Sequence, residues 1–210
     1  MPSPSIKLTY FDMPGRAETI RLALHVAGVP YEFERVARDQ WPSLKPKTPF
    51  GGLPVMTIDG VQYAQTHALL RYVAAIGKME PATPIDRLKV DQIIEANTDI
   101  VTALMPSLRE PDAQKKMAMR KELADTTLPP LLKGIDRALG QNATPGYTCG
   151  STITIADISL WGLTQWFRSG MIDGIPKDLI DGYPAIAKVV QTVGEHPKVA
   201  EWVKQNPAQR

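Results

Sequence analysis

The chain has 210 residues and a mass of 23.1 kDa, which is long enough for one large domain or two small ones. Its formal net charge is only +2, from 24 basic and 22 acidic residues, so charge gives no reason to expect nucleic acid or a membrane surface as a partner. The single cysteine, Cys149, excludes an intrachain disulfide, and no Cys/His cluster has the spacing of metal ligands. Because no apolar run has the length of a signal segment or a membrane span, we expect a cytosolic protein without a metal.

The first 80 residues alternate short apolar runs with helical patterns. The runs IKLTYF, YEFERVAR, LPVMTIDG and VQYAQ predict strands, and the segments AETIRLALHVAG and HALLRYVAAIG predict helices. The chain order is therefore β-α-β, a loop, and β-β-α, which describes an α/β unit of thioredoxin size. Gly28 stands where a helix C-terminal cap is expected, and IDG before VQY indicates a hairpin.

The composition changes near residue 80. Two prolines in the segment Met79–Pro84 disfavour a helix and indicate a linker, so we predict domains at residues 1–80 and 85–210. The second domain is helical by pattern almost throughout. Its signals are an apolar stripe from Ile93 to Leu108 interrupted by Asn97, a region disturbed at Pro129-Pro130, the segment TIADISLWGLTQWF, and two short helices separated at Pro197. The predicted fold class is a small α/β domain followed by an all-α domain.

The start of the segment TIADISLWG carries a helix-capping signal. Thr154 stands at the N-cap with Asp157 three residues later, and Ile153 and Ile158 occupy the positions of a hydrophobic staple. This box satisfies backbone donors at the helix start, so we assign Asp157 a structural and not a catalytic role.

Three other stretches indicate chemistry. LTYFDMPGRAE places Tyr10 at a strand end and Arg16 at the start of the next helix. Leu53-Pro54 precedes a strand, where a cis bond would present the backbone of Leu53 to an extended peptide. Gln65-Thr66 enters a helix, where backbone N–H groups and the helix dipole favour a carboxylate. Together they describe a site for a short acidic peptide, although each alone is also typical of an ordinary strand end, turn or cap.

Four motifs occur in order over nearly the whole chain: LTYFDMPGRAE, QWPSLKPKTPFGGLPVMTIDG, QTHALLRYVA and TIADISLWG. This set resembles the cytosolic glutathione S-transferases, and most closely their sigma class. The resemblance implies a thioredoxin-like N-terminal domain that binds glutathione as co-substrate, and an all-helical C-terminal domain that completes the site of an apolar small-molecule electrophile. It also implies a homodimer.

The resemblance assigns a role to individual positions of this chain. Tyr10 matches the catalytic tyrosine and Arg16 the arginine beside it. The residues that match the glutathione site are Tyr10, Trp41, Lys45, Gly52, Leu53, Pro54, Gln65, Thr66 and, reaching from the other subunit of the dimer, Asp99.

Within this set, Trp41 and Lys45 match the residues that hold the glycine end of glutathione, and Leu53-Pro54 matches the strand that pairs with the cysteinyl backbone. Gln65-Thr66 matches the γ-glutamyl site, in which Thr66 keeps the hydroxyl of the more usual serine. Gly52 departs from the pattern, since many relatives carry Lys or Gln there. We expect this departure to weaken the grip on the glycine carboxylate.

Two classes of function remain open. The first is an enzyme that adds glutathione to apolar electrophiles, or that acts as a glutathione-dependent isomerase or peroxidase of lipid peroxides. The second is a non-catalytic carrier on the same fold, since fold does not fix function. Tyr10 and Arg16 favour the enzyme, and the position of Cys149, away from the first strand-helix turn, disfavours a cysteine-based thioltransferase. We predict an electrophile pocket lined by Phe11, Met13, Val101 and Met105.

Overall fold

The computed structural model describes residues 4–206, and the chain forms two compact units. The first unit contains residues 4–80 together with residues 201–206, and the second contains residues 81–200. The predicted domains were residues 1–80 and 85–210. The structure therefore differs at the C-terminal end, because residues 201–206 group with the first unit.

The first unit contains a four-stranded mixed sheet in the order β2-β1-β3-β4. Its strands are β1 (Ile6–Phe11), β2 (Glu32–Val36), β3 (Val55–Ile58) and β4 (Val61–Ala64). Strand β1 pairs parallel with β2 and antiparallel with β3, and β3 pairs antiparallel with β4. The helices are α1 (Gly15–Ala27), α2 (Trp41–Leu44) and α3 (Thr66–Ile76). The predicted order of strands and long helices is confirmed.

The segment between β2 and β3 differs from the predicted loop. It contains the short helix α2 followed by a 3₁₀ turn at Lys45–Lys47, and each begins with a proline at its first or second position. Proline suits the first helical turn, where its missing N–H has no partner to lose. The hairpin at Asp59-Gly60 is confirmed, because both residues have positive φ, as a tight two-residue hairpin turn requires.

The C-terminal segment of the chain is held by helix α1. Nε1 of Trp202 donates to Oε1 of Glu18 over 2.9 Å, and Nη2 of Arg21 donates to Oδ1 of Asn206 over 3.2 Å. The guanidinium of Arg21 lies 4.3 Å from the ring centre of Phe33 and 4.9 Å from that of Trp202. These contacts explain why residues 201–206 belong to the first unit.

The second unit is helical, as predicted. Its helices are α4 (Pro84–Arg109), α5 (Ala113–Glu122), α6 (Leu128–Leu139), α7 (Ile155–Arg168) and α8 (Pro184–Glu195). Helix α9 (Pro197–Gln205) belongs to this unit up to Ala200 and to the first unit from Glu201. The apolar stripe of α4 is mostly buried, and its half-buried members are Val101, Met105 and Leu108. Its interruption, Asn97, is buried and donates to the carbonyl of Ser159 over 3.2 Å. Within residues 4–206, no helix combines the length and the apolar character needed to cross a membrane.

A π-helical turn at Leu123–Thr127 joins α5 to α6. The predicted disturbance at Pro129-Pro130 therefore lies a few residues upstream of the prolines themselves. Each proline lacks the N–H that a carbonyl four residues earlier would otherwise accept, so the helix is disturbed before the pair and not at it.

The predicted capping box at the start of α7 is confirmed. The side chain of Thr154 accepts the N–H of Asp157, and Oδ2 of Asp157 accepts the N–H of Thr154 over 2.7 Å. Oδ1 of Asp157 also accepts both the N–H and the hydroxyl of Thr148. The carboxylate is fully buried, so its role is structural.

Candidate active site

The hydroxyl of Tyr10 lies at the start of helix α1. Tyr10 is buried on β1, and its hydroxyl oxygen accepts the backbone N–H of Arg16 over 3.1 Å. Pro14 precedes the helix and makes no side-chain cap, so the tyrosine hydroxyl satisfies a donor of the first turn that a cap residue would otherwise serve. A hydroxyl that accepts a bond still has its own proton to donate. The chain thus presents an O–H donor at the positive end of a helix.

Positive charge dominates around this turn. Asp12 and Glu18 are the carboxylates nearest to the turn in sequence, and each is paired with an arginine. Nε of Arg35 lies 2.8 Å from Asp12, and Nη1 of Arg21 lies 3.2 Å from Glu18. The side chain of Arg16 is exposed at the start of α1, where it adds its charge to that of the helix dipole. The positive helix end, with Arg16 in its first turn, therefore favours an anion at this turn.

Aromatic contacts connect Tyr10 to the start of α2. The ring of Phe11 lies 5.7 Å from that of Tyr10 and 5.6 Å from that of Trp41, edge to face in both pairs. Lys45 follows on the 3₁₀ turn, and a methyl group built on Gly51 would lie 3.8 Å from its Cε. The structure thus brings Trp41 beside the tyrosine strand and Lys45 beside the glycine loop before β3.

The Leu53–Pro54 peptide bond is cis, as predicted. The pairing of β3 with both of its neighbours begins at Val55, so Leu53 precedes the paired part of the strand. Gly52, one residue earlier, is half-buried.

The backbone at Gln65 is strained. Its φ is +78° with ψ at 106°, although glutamine has a Cβ that disfavours this region. Gln65 is the N-cap of α3, where its carbonyl accepts the N–H of Leu69 over 3.0 Å, and Thr66 is the first helical residue. Strain of this kind clusters at ligand sites, where the surrounding fold enforces it. The strained residue and the positive helix end coincide at the predicted γ-glutamyl position.

The remaining predicted site residues are divided between helix α4 and the tyrosine turn. Asp99 is exposed on α4, while Val101 and Met105 are half-buried on the same helix. In the first unit, Phe11 is half-buried and Met13 is exposed. The predicted electrophile pocket and the contact of Asp99 with another subunit stay predictions.

Cys149 is not available as a nucleophile. The residue is buried, and burial raises the pKa of its thiol to about 11. The thiolate is the reactive form, so a buried thiol with a raised pKa is inert near neutral pH. Within residues 4–206, no three His, Cys, Asp or Glu side chains gather as metal ligands.

Two features of the site escaped the sequence analysis. The positive φ of Gln65 has no signal in the sequence, because glutamine is not a residue that favours this conformation. The close approach of Gly15 to the Tyr10 ring is the second feature. The Met-Pro-Gly turn was a possible signal for it, since glycine at a turn often marks a positive φ or a tight contact.

The fold and the site define a class of protein. A mixed thioredoxin-like sheet with a tyrosine at the end of its first strand, a cis-proline before its third strand and a following all-helical unit are the features of a glutathione transferase. The comparisons agree with this class. Residues 6–75 match the glutathione S-transferase N-terminal domain, and residues 98–206 match the glutathione S-transferase C-terminal domain.

The relatives that match nearly the whole chain are named as glutathione S-transferases or prostaglandin D synthases. Glutathione S-transferase 1 of Ascaris suum is 33% identical over 97% of this chain and 98% of its own length. Hematopoietic prostaglandin D synthase of Gallus gallus is 30% identical over 97% of this chain and 98% of its own length. Among solved structures, prostaglandin synthase D of Nilaparvata lugens superposes with a TM-score of 0.86 at 28% identity, covering 97% of this chain and 99% of that one. The chain belongs to the glutathione S-transferase family.

Proposed function

We propose that this protein conjugates glutathione, through its thiolate sulfur, to apolar electrophiles, with the thiolate stabilised by the hydroxyl of Tyr10. The observation that carries the proposal is the position of that hydroxyl at the N-terminus of α1, bonded to the N–H of Arg16 over 3.1 Å. The accepted bond polarises the hydroxyl and strengthens it as a donor. The hydroxyl then donates its own proton in a hydrogen bond to the thiolate sulfur of glutathione.

The chemistry requires an anion at neutral pH. A free thiol with a pKa of about 8.5 is only a few per cent ionised near pH 7, and the thiolate is the nucleophile. Lowering the pKa of the glutathione thiol by one unit requires about 1.4 kcal/mol of preferential stabilisation of the anion. A hydrogen bond from a hydroxyl to a charged sulfur supplies about that much or more, and Arg16 and the dipole of α1 add to it.

The rest of the glutathione molecule has matching groups on this chain. The N-terminus of α3, with Gln65 and Thr66, suits the γ-glutamyl carboxylate, because helix N-termini bind anions. Leu53 precedes the paired part of β3, which supports its proposed role of bonding the cysteinyl backbone by strand pairing. In this proposal Trp41 and Lys45 hold the glycine end of glutathione.

The test of this proposal is Tyr10→Phe. We expect glutathione binding to change little, while kcat falls by roughly tenfold to a hundredfold, as the loss of one hydrogen bond to an anion predicts. The control is Tyr63→Phe, which removes a hydroxyl from an exposed tyrosine on β4 of the same unit. Unchanged kcat in Tyr10→Phe, with Tyr63→Phe also unchanged, would remove Tyr10 from the mechanism.

A second activity has specific support. Two of the relatives described above are named as prostaglandin D synthases, which favours a glutathione-dependent isomerase or peroxidase of lipid peroxides on the same site. In both reactions the thiolate attacks one oxygen of the peroxide, so that an S–O bond forms and the O–O bond breaks. In an isomerisation, loss of a proton from the carbon that bears this oxygen forms a carbonyl, breaks the S–O bond and releases the thiolate. In a peroxidase reaction a second glutathione attacks the oxidised sulfur, and glutathione disulfide forms. Turnover compared across aryl halides, unsaturated aldehydes, hydroperoxides and an endoperoxide, each with glutathione, separates the two activities. Conjugates form in the first, and glutathione returns unchanged from an isomerisation.

The working unit in this proposal is a sigma-class-like homodimer in which Asp99 reaches the γ-glutamyl ammonium bound to the other subunit. Asp99 is exposed on α4, in line with the exposed Glu95 and Thr102. A twofold interface presents the same face from both copies, so two equivalent sites would share it.

Mixed dimers of an Asp99→Asn subunit and a Tyr10→Phe subunit test the sharing. If Asp99 acts across the interface, one site carries both substitutions and the other carries neither, so about half of the wild-type activity remains. If each site is self-contained, every site carries one substitution. A monomer by light scattering at micromolar concentration would contradict the dimer itself.

A further inference from the structure

We propose that Gly15 is a positioning residue for the reaction: the absence of a side chain at this position allows the Tyr10 hydroxyl to reach the first turn of α1. The inference rests on the proposed role of Tyr10 and adds the residue that makes this role possible. It concerns a residue whose own atoms need not touch the substrate.

The geometry leaves no room for a Cβ at this position. A methyl group built on Gly15 would lie 2.5 Å from the Tyr10 hydroxyl oxygen, 3.0 Å from Cε1 and 3.1 Å from Cζ. Real Cβ atoms essentially never lie closer than 3.0 Å to a non-bonded heavy atom, so the methyl and the hydroxyl exclude each other at 2.5 Å. Only a hydrogen at this position permits the 3.1 Å bond between the hydroxyl and the N–H of Arg16.

The tyrosine has little freedom to retreat. Tyr10 is 8% exposed, and its ring lies edge to face with that of Phe11 at 5.7 Å. Its backbone pairs with Arg35 on β2, and the preceding residue, Thr9, pairs with Val55 on β3. A Cβ at position 15 would therefore move the tip of the ring, which is the hydroxyl, or push the start of α1 away from it. Either shift separates the O–H donor from the positive helix end.

The backbone conformation of Gly15 is a second reason for glycine at this position, and its effect must be separated from that of the clash with Tyr10. Gly15 has a φ of +45°, a region in which any residue with a Cβ is strained. Gly28 at the other end of α1 has a φ of +67°, and a Cβ there would meet nothing within 4 Å. Gly28→Ala therefore imposes backbone strain on the same helix without touching Tyr10, and it serves as the matched control.

The experiment compares Gly15→Ala and Gly28→Ala in the full-length protein. Folding is checked by circular dichroism, and the ionisation of bound glutathione is followed by the ultraviolet absorbance of its thiolate across a pH series. For Gly15→Ala we expect the pKa of the bound thiol to rise by about one unit or more. We expect kcat at acidic pH to fall by roughly tenfold to a hundredfold, with a smaller change in KM for glutathione. Gly28→Ala keeps the wild-type pH profile.

Gly15→Asn is the second variant, because asparagine accepts positive φ more readily than alanine while still carrying a Cβ. It keeps the test open if Gly15→Ala fails to fold, and the proposal predicts the same rise in thiol pKa. A wild-type pH profile in either folded Gly15 variant overturns the proposal.

The double variant Gly15→Ala with Tyr10→Phe distinguishes the two proposals. If Gly15 acts through the hydroxyl, the double variant has the same kcat and the same thiol pKa as Tyr10→Phe alone. Full additivity of the two effects overturns the role of Gly15 and leaves Tyr10 in place. If Tyr10→Phe alone has wild-type kcat, the proposed function fails at Tyr10 and the inference at Gly15 fails with it.

Discussion

Replacing Trp202 tests whether the C-terminal segment stabilises the unit that contains Tyr10. Trp202 is 6% exposed, donates to Glu18 over 2.9 Å and lies beside Arg21 and His25, at 4.9 Å and 5.4 Å. Every one of these contacts is to α1. We therefore expect the substitution to destabilise α1 before any other part of the sheet unit.

The structure gives a magnitude for two substitutions. Trp202→Ala removes a buried aromatic side chain and leaves a cavity, which costs about 3–5 kcal/mol in the free energy of unfolding. Trp202→Phe keeps most of the apolar area and loses the bond to Glu18. Because Glu18 remains paired with Arg21 over 3.2 Å, we expect this milder change to cost about 1–2 kcal/mol.

Hydrogen exchange measured on peptides of α1, together with urea unfolding, is the assay. In Trp202→Ala, the amides of α1 should exchange faster under native conditions, and the KM for glutathione should rise because the first turn of α1 is part of the proposed site. Trp161 is the matched control, since it is also 6% exposed but lies on α7 in the second unit. Trp161→Phe should leave exchange in α1 unchanged. A loss below about 1 kcal/mol in Trp202→Ala, with wild-type exchange in α1, would refute the reasoning.

Three further predictions concern single sites. Lys45→Ala should raise the KM for glutathione by roughly two- to fivefold with little change in kcat, because an exposed charge contributes under about 1 kcal/mol to binding. Lys47→Ala, on the same turn, is the control. Wild-type affinity of Lys45→Ala by titration would contradict the assignment of Lys45. Gln65→Gly should relieve the backbone strain, so the free energy of unfolding should stay equal or rise by up to about 1 kcal/mol while glutathione binding weakens. Gln65→Ala should weaken binding without relieving the strain. Thermal unfolding measures the effect on stability, and titration with glutathione measures the effect on binding. Cys149 should react with a thiol reagent at pH 8 only after denaturation, since its thiol pKa of about 11 leaves little thiolate in the folded protein, and rapid labelling of the native protein would contradict its burial.

Local features of this chain were predictable from the sequence. The strand, turn and helix around Tyr10, the hairpin at Asp59-Gly60 and the capping box of Thr154 and Asp157 each depend on residues close together in the chain. Their physical causes are alternation, turn chemistry and side-chain caps, all of which a short stretch displays.

Features that depend on distant contacts were not predictable. The bond between Trp202 and Glu18 joins residues 184 positions apart, and nothing in WVKQN indicates which unit it packs against. The strained backbone of Gln65 is enforced by its surroundings, against the preference of the residue itself. The short helix α2 was missed because its proline, which suits a first turn, is also typical of a loop.

The π turn between α5 and α6 sets the rotational phase of the two helices. An α-helix rotates by about 100° per residue, so the extra residue of a π turn rotates everything before it by about that angle relative to an uninterrupted helix. Arg120, one turn earlier, is buried, pairs with the carboxylate of Asp173 and donates to its carbonyl over 2.9 Å. Deleting one residue within Leu123–Thr127 would restore a regular helix and swing Arg120 away from Asp173. The helical region from Ala113 to Leu139 therefore buries Arg120 before the π turn and the apolar face of α6 after it. A regular helix of the same sequence would rotate one of these two faces away from its contacts.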